Sequence, residues 1–384
     1  MKKLLVTALL AVAGFANAET TNVTVYGIVD VGVLNASHVG AANGNATQML
    51  SSPMDTSRLG FTGTEDLGNG LKAGFNLESQ INPNDGTQGT SASSGATNGT
   101  FARAANVFVD SGVGKFTIGR QPNAAFQAFN VADVRGGKNY GSSLTFWNDG
   151  STFGGTSIAK TGINSYTGST FFSNAFRYDT PTFSGLRGSV QFVTGGVAGS
   201  GSLGDTSASN KKVVTAIYEN GPAQLTAGVV QSTSSASETN GKAVTYGGNY
   251  TLGKLKLASG WTKFENPAGA GAANTEFSLK QVSARYEVSS KLAVSTGFYS
   301  LADKINGANG SKLTSLVADY ELSKRTGLYA GVANVHNRGT SGFNAYGASG
   351  ANSNSLAGAG TYPSVVSAAG GVQKSYLVGI THRF

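Results

Sequence analysis

From Val23 onward the sequence repeats one pattern: segments of about ten residues in which apolar and polar side chains alternate. Val23 to Val33 sets Val23, Val25, Val29, Val31 and Val33 on one face and Thr24, Tyr26 and Asp30 on the other. Ser57 to Glu65 sets Leu59 and Phe61 against Arg58, Thr62 and Thr64. Leu71 to Ser79 sets Leu71, Ala73, Phe75 and Leu77 against Lys72, Asn76 and Glu78. Successive strand side chains point to opposite faces, so each segment reads as a β-strand with one apolar and one hydrated side.

The punctuation between segments sets their number. Short turns at 66–70, 111–114, 180–182, 220–222, 252–253, 287–291 and 321–326 alternate with longer polar stretches at 34–56, 80–100, 121–163, 195–211, 232–241, 265–277, 302–311 and 337–372. Seven turns and eight loops predict an all-β fold, a closed transmembrane antiparallel barrel of about sixteen strands. A barrel of about eight strands is filled by its own side chains, whereas sixteen leave an aqueous channel, so the count itself predicts a pore.

The first residues predict where the barrel goes. Lys2 and Lys3, the apolar run Leu4 to Phe15 and the small residues of Ala16-Asn17-Ala18 have the three parts of a secretory signal peptide, residues 1–18. Residues 19–384 then form a single barrel domain, exported through the periplasm to the outer membrane. Beyond Ala18 no window holds the roughly 20 consecutive apolar residues of a membrane helix, which excludes a helical membrane protein.

Composition agrees and removes other classes. The 55 Gly, 20 Phe and 14 Tyr suit short strands and turns, and the absence of Cys excludes a disulfide scaffold. Loss of Lys2 and Lys3 lowers the formal charge from +8 to +6, and the remaining basic residues are dispersed, which is no nucleic-acid footprint. The histidines, His38, His336 and His382, lie far apart with no converging serine or acid, so no enzyme is expected. Neither a metal nor a cofactor is indicated.

The stretch 121–163 carries Phe126, Phe129, Tyr140, Phe146 and Trp147 and is too long and aromatic for a passive connection; it is expected to fold into the lumen. The Gly/Ser/Asn-rich stretch 340–359 reads as a flexible outer loop.

Several stretches resemble the general porins of Gram-negative outer membranes, of the type found in Neisseria, Bordetella, Burkholderia and Comamonas relatives. They are Val23-Thr24-Val25-Tyr26-Gly27-Ile28-Val29-Asp30, the run from Ser57 to Gly68 with Gly70 to Phe75, Ile118-Gly119-Arg120-Gln121, the run from Tyr320 to Thr326, and Val378 to Phe384. The resemblance implies a homotrimer of sixteen-stranded barrels, each with its own pore narrowed by an inserted third loop. It also implies that Phe384 belongs to the signal read by the barrel assembly machinery, with membrane lipid and lipopolysaccharide as neighbours.

Such porins set wall arginines opposite acidic loop residues, a field that sorts ions by sign. Arg58 matches the wall arginine of the second strand, and its alternation with Leu59 and Phe61 points it inward. Arg103 matches the next one, but shares parity with Val107 and Val109 and faces the pore only if Phe108 faces out. The third arginine expected early in the sixth strand is missing; Ser169-Thr170-Phe171 stands there. Arg120 matches a family motif with outward parity, for a pore or subunit-contact role. Arg177 and Arg187 have inward parity near a short turn. Asp133 and Asp149 are the carboxylates of the long loop and the candidates for its negative charge. The expected function is passive, weakly anion-preferring diffusion of ions and small hydrophilic solutes. The alternative is a sugar- or anion-specific channel with an aromatic track of Tyr26, Tyr140, Phe146 and Trp147.

Overall fold

A computed structural model describes residues 19–39, 43–89, 100–148, 170–194, 210–233, 240–266, 275–346, 367 and 369–384. The leader expected at 1–18 and Asp149 lie outside these residues. In chain order the strands are β1 (Glu19–Val39), β2 (Gly44–Ser51), β3 (Arg58–Gly68), β4 (Leu71–Asn82), β5 (Thr87–Gly89), β6 (Ala104–Ser111), β7 (Gly114–Pro122), β8 (Phe171–Asp179) and β9 (Leu186–Val193). They continue with β10 (Lys211–Asn220), β11 (Ala223–Thr233), β12 (Asn240–Leu252), β13 (Leu255–Asn266), β14 (Thr275–Glu287), β15 (Leu292–Asp303), β16 (Gly310–Glu321), β17 (Thr326–Arg338) and β18 (Val372–Arg383). Two helices, α1 (Ala124–Val131) and α2 (Leu144–Asn148), interrupt them between β7 and β8.

All strands join one antiparallel sheet that closes on itself, because β1 pairs with β3 on one side (Val25 opposite Phe61) and with β18 on the other (Val33 opposite Val378). The short β2 and β5 extend the loop ends of β1 and β4, so sixteen strands make the wall. Closure leaves no unpaired sheet edge, which a membrane interior demands. The stretch 34–56, expected to be a loop, instead carries β1 on to Val39 and returns as β2, since Ala36 opposite Ala46 keeps the ladder running.

The alternation is realised as an apolar exterior. Val107, Val190, Val282, Leu316 and Val378 are exposed, while their strand neighbours Gln191, Gln281, Ser283 and Ser315 are buried on the inner side. Tyr178, Tyr218, Tyr250, Tyr286 and Tyr320 are exposed one or two residues before the turn ends of β8, β10, β12, β14 and β16, an aromatic girdle at that rim. At the first of the tight turns Asn69 (φ 54°) and Gly70 (φ 78°) both take positive φ, the primed turn that suits the strand twist.

Two features place the site. The first is the seam: Gly27 N–H donates to the Phe384 carbonyl and Phe384 N–H to that of Gly27, both at 3.1 Å, with the Phe384 ring lying over Gly27. A Cβ at Gly27 would stand 2.3 Å from that ring, so the close contact requires glycine. The second is an inward excursion: β2 ends with Ser51 opposite Val31 and β3 begins with Arg58 opposite Ile28, so residues 52–57 leave the wall. Asp30, fully buried, holds them by accepting from the Met54 and Asp55 amides at 2.9 and 2.5 Å.

Candidate functional site

After β7, the Asn123 side chain caps α1 by accepting from the Ala125 amide at 2.9 Å. The buried face of α1 is small, with Ala124, Ala125 and Ala128 beside Phe129. It meets glycines on adjacent strands: a Cβ at Gly228 would lie 3.2 Å from Ala128 Cβ, and one at Gly247 or Gly260 within 2.7 or 2.6 Å of Ala132 Cβ. The three glycines form a flat strip on β11, β12 and β13 that admits the helix closely.

Hydrogen bonds tie the rest of the segment to strands farther around the wall. Val134 N–H donates to Ser283 Oγ (3.0 Å), Ser315 Oγ to the Gly141 carbonyl (2.6 Å), and Tyr140 Oη to the Ser375 carbonyl (3.0 Å). The aromatic residues of the stretch pack together: Trp147 lies 4.7 Å from Phe129 and 5.6 Å from both Phe126 and Phe264, and Phe146 lies 5.2 Å from Phe343. Tyr140, Phe146 and Trp147 have no exposed surface.

Segment 123–148 also meets the inward excursion. Asn139 N–H donates to the Met54 carbonyl (2.9 Å), and Lys138 Nζ pairs with Asp55 at 2.7 Å. Arg383, on the wall strand β18, reaches the same Asp55 carboxylate at 2.9 Å. Burial pushes the Asp55 carboxyl up, but Lys138, Arg383 and Arg58 outweigh it and hold the group below the ordinary carboxylate range.

On the inner wall beside this contact lies a cluster of cations. Arg103 Nε pairs with Glu78 Oε1 at 2.5 Å, and Arg58 Nη1 lies 3.8 Å from Glu78 Oε2. Tyr26 donates its hydroxyl to Glu78 at 3.0 Å. Phe171 offers its ring to Arg103 (4.8 Å) and Arg120 (5.8 Å). Arg58 and Arg103 share Glu78 and Arg120 joins them at the Phe171 ring, so the three arginines and Glu78 together carry a formal excess of two positive charges. Arg58 is the part of the cluster most open to solvent, with 23% of its side chain exposed against 9% for Arg103.

The strand parities need two corrections. Phe108 faces inward, beneath Lys115 Nζ at 3.6 Å, while Val107 and Val109 face out. Arg103 nevertheless reaches the inner side, because it lies in the bend before β6 and escapes the strand's alternation. Arg120 does not point outward: a bulge between Gly119 and Gln121 breaks the register with β8 and turns it into the cluster, where it donates to the Ala102 carbonyl at 2.5 Å and to Ser173 Oγ at 2.7 Å. Its contacts with Phe171 and Ser173 place it beside Arg103.

The other expected residues lie apart from the cluster. Arg177 binds Asp179 (2.6 Å), Ser189 and, at 2.7 Å, the Gln127 side chain of α1. Arg187 stands 4.0 Å from Glu219, half exposed. Asp133 is spent on the fold of its own segment, accepting from the Arg135 and Ser143 amides, the Ser143 hydroxyl and Tyr299 Oη at 2.8 to 3.1 Å. The carboxylates nearest Arg58 are Glu78 and Asp55. Sequence reasoning placed Glu78 inward without a role; its partner Arg103 lies in the bend just before Ala104, the residue paired with Glu78 across β4 and β6. Among the described residues no group of acids and histidines is arranged to hold a metal.

The family model described as Gram-negative porin matches residues 5–340. The outer membrane porin protein 32 of Delftia acidovorans is 29% identical across 100% of this chain and 99% of its own length. The solved anion-selective porin from Comamonas acidovorans is 25% identical, with a TM-score of 0.74 over 95% of this chain and 100% of that one. A trimer form of OmpT from Vibrio cholerae shares the fold at 13% identity, with a TM-score of 0.64 over 95% and 100% of the two chains. A closed barrel of sixteen strands, an apolar exterior and a charged inner wall are what such proteins need to pass solutes through a membrane, and the chain belongs to the Gram-negative porin family, channels of the outer membrane.

Proposed function

We propose that the protein is a general diffusion porin with a weak preference for anions, working as a homotrimer in which each barrel carries its own pore. One observation carries this reading: on the inner wall Arg58 and Arg103 share the carboxylate of Glu78, and Arg120 stands beside Arg103 at the Phe171 ring. A fixed positive excess beside low-dielectric protein raises the local concentration of anions over cations. Segment 123–148 narrows the lumen, a reading supported by its bonds to Ser283, Ser315 and Ser375 on distant strands. The anion selectivity named for the Comamonas porin and the trimer form of the Vibrio protein favour the same account.

A sugar- or anion-specific channel has less support, because Tyr140, Phe146 and Trp147 are buried and offer no ring face to a passing solute. The match to the porin family supports a channel in preference to an enzyme. Residues 1–18 serve as the export leader, and Phe384, outward at the seam, is read by the barrel assembly machinery in a membrane of lipid and lipopolysaccharide.

The test is single-channel conductance and zero-current potential in a planar bilayer under a KCl gradient, beside Arg58→Ala. Non-saturating conductance in triplets, with anion preference reduced in the variant, is the expected result. Absence of conductance overturns the pore, and saturation by one solute overturns general diffusion in favour of the specific channel.

A further inference from the structure

Three inward positions on adjacent strands are glycine where a strand interior ordinarily carries a side chain. Gly247 on β12 stands directly opposite Gly260 on β13, and Gly228 on β11 lies one strand over and two residues along, opposite Thr245. Glycine weakens a strand, because it loses the most backbone freedom on folding and packs nothing. No turn or left-handed backbone requires it here, since none of the three is among the glycines with positive φ. The requirement comes from above: Ala128 and Ala132, four residues and so about one helical turn apart, come down on this strip.

Gly260 gives the cleanest view of this contact. A Cβ at Gly247 would also stand 2.4 Å from the Ser259 carbonyl, inside the sheet's own ladder. At Gly260 the nearest atoms are instead Ala132 Cβ at 2.6 Å and the Gln281 amide at 2.9 Å. That amide makes no hydrogen bond to another described residue and can turn aside. The Ala132 methyl has no such freedom. Non-bonded carbons rest about 3.5–4.0 Å apart, so a methyl at Gly260 drives Ala132 off the wall by roughly 1 Å. The direction of that movement is set by the barrel. Counting along the wall from β3 through β4, β6, β7, β8, β9, β10 and β11, β12 is the eighth strand on, halfway around a ring of sixteen. A segment that leaves β12 and β13 therefore advances across the lumen toward Arg58 on β3.

We infer that Gly247 and Gly260, with Gly228, set the width of the pore: offering no side chain, they seat segment 123–148 against one wall and leave the rest of the cross-section to the solute. The inference rests on the reading that this segment narrows the lumen, and adds that the wall behind the segment determines how far it reaches in. The three glycines act by positioning and carry no charge. They therefore govern the size of what passes and leave the sign of the ion preference to the arginine cluster.

The test compares single-channel conductance in KCl, and the size at which neutral polyethylene glycols cease to enter the channel, for the wild type, Gly260→Ala, Gly260→Ala/Ala132→Gly and Ala132→Val. Ala132→Val fills the same gap from the segment and leaves the sheet's ladder untouched, so it decides the matter even where Gly260→Ala does not fold. Both single variants are expected to lose conductance and to exclude smaller polymers, as an advance of about 1 Å, roughly a third of a water diameter, requires. The double variant is expected to return both quantities to their wild-type values, and the zero-current potential to keep its sign throughout. Wild-type conductance and cutoff in a folded Gly260→Ala or in Ala132→Val overturn the inference. A loss in Gly260→Ala that Ala132→Gly leaves uncorrected also overturns it, since the fault then lies in the sheet. The chain has no cysteine, so Lys138→Cys reports separately on where the segment lies. Where a bulky thiol reagent cuts the current through Lys138→Cys, the segment borders the passage, and an unaltered Gly260→Ala then refutes only the role of the glycines. A reagent without effect refutes narrowing by the segment, and the inference with it.

Discussion

Glu78→Gln isolates the contribution of one carboxylate to ion selection. Its two oxygens face Arg103 at 2.5 Å and Arg58 at 3.8 Å, and the amide keeps an acceptor for Arg103 while removing the charge. The formal excess in the cluster rises from two positive charges to three. In a lumen of dielectric about 80, an ion passing about 8 Å from the removed charge changes its energy by about 0.5 kcal/mol. That is roughly a twofold effect on each ion and, because anion and cation move in opposite directions, about fivefold on the permeability ratio. Screening compresses this at high salt, so the zero-current potential is read under a gradient with the dilute side near 0.1 M KCl, where the Debye length is about 10 Å. Breaking a buried pair destabilises by about 3–5 kcal/mol when one ion is left uncompensated, so heat-resistant folded migration of the variant is checked beside the wild type. A folded variant with an unchanged zero-current potential refutes the reasoning, since it would mean that ions do not pass within reach of Glu78.

Two further perturbations address the segment that meets the excursion. Asp55 is held below the ordinary carboxylate range by Lys138 and Arg383 against the opposing effect of burial, so its pairing is fully present above about pH 4 and is lost only as pH falls through the depressed value. Loss of this pairing is therefore expected to change conductance only below about pH 4, with Asp55→Asn showing that acid behaviour already at pH 7; a variant that conducts at pH 7 as the wild type does contradicts the assignment. Trp147→Ala removes the ring shared by Phe129, Phe126 and Phe264, a truncation that costs about 3–5 kcal/mol in a packed core. Noisier current and faster proteolysis within 123–148 are expected with barrel melting unchanged, because the sheet's own ladder is untouched, and quiet, protease-resistant channels overturn the packing argument.

The barrel was legible because strand alternation and turn chemistry are local properties, written in residues such as Asn69-Gly70 that act on their own neighbours. The inner site was legible only in part. Arg58 lies on a regular strand, so parity pointed it correctly. Arg103 and Arg120 sit where regularity fails, one in a bend and one at a bulge, and a rule of period two misplaces whatever follows an inserted residue. Asp133 looked like a free loop charge because its partners, Ser143 and Tyr299, are brought to it by folding and not by sequence. The excursion at 52–57 left no mark on the sequence at all; it follows from β2 and β3 sharing one edge of β1 with a gap between them.

The closure of β1 on β18 bears on the order of events during assembly. Ile28 meets Arg383 across nearly the whole length of the chain, so the contact with the greatest loop-closure cost is also the one that seals the wall. Before it forms, β1 and β18 each present a row of unsatisfied amides and carbonyls, and the apolar exterior has no bilayer around it. Such an intermediate is prone to pair with any other open strand it meets, and needs shielding in transit. Nor is the last strand a dispensable sixteenth of the structure: without β18 the remaining strands make a curved open sheet, with two adhesive margins and no lumen.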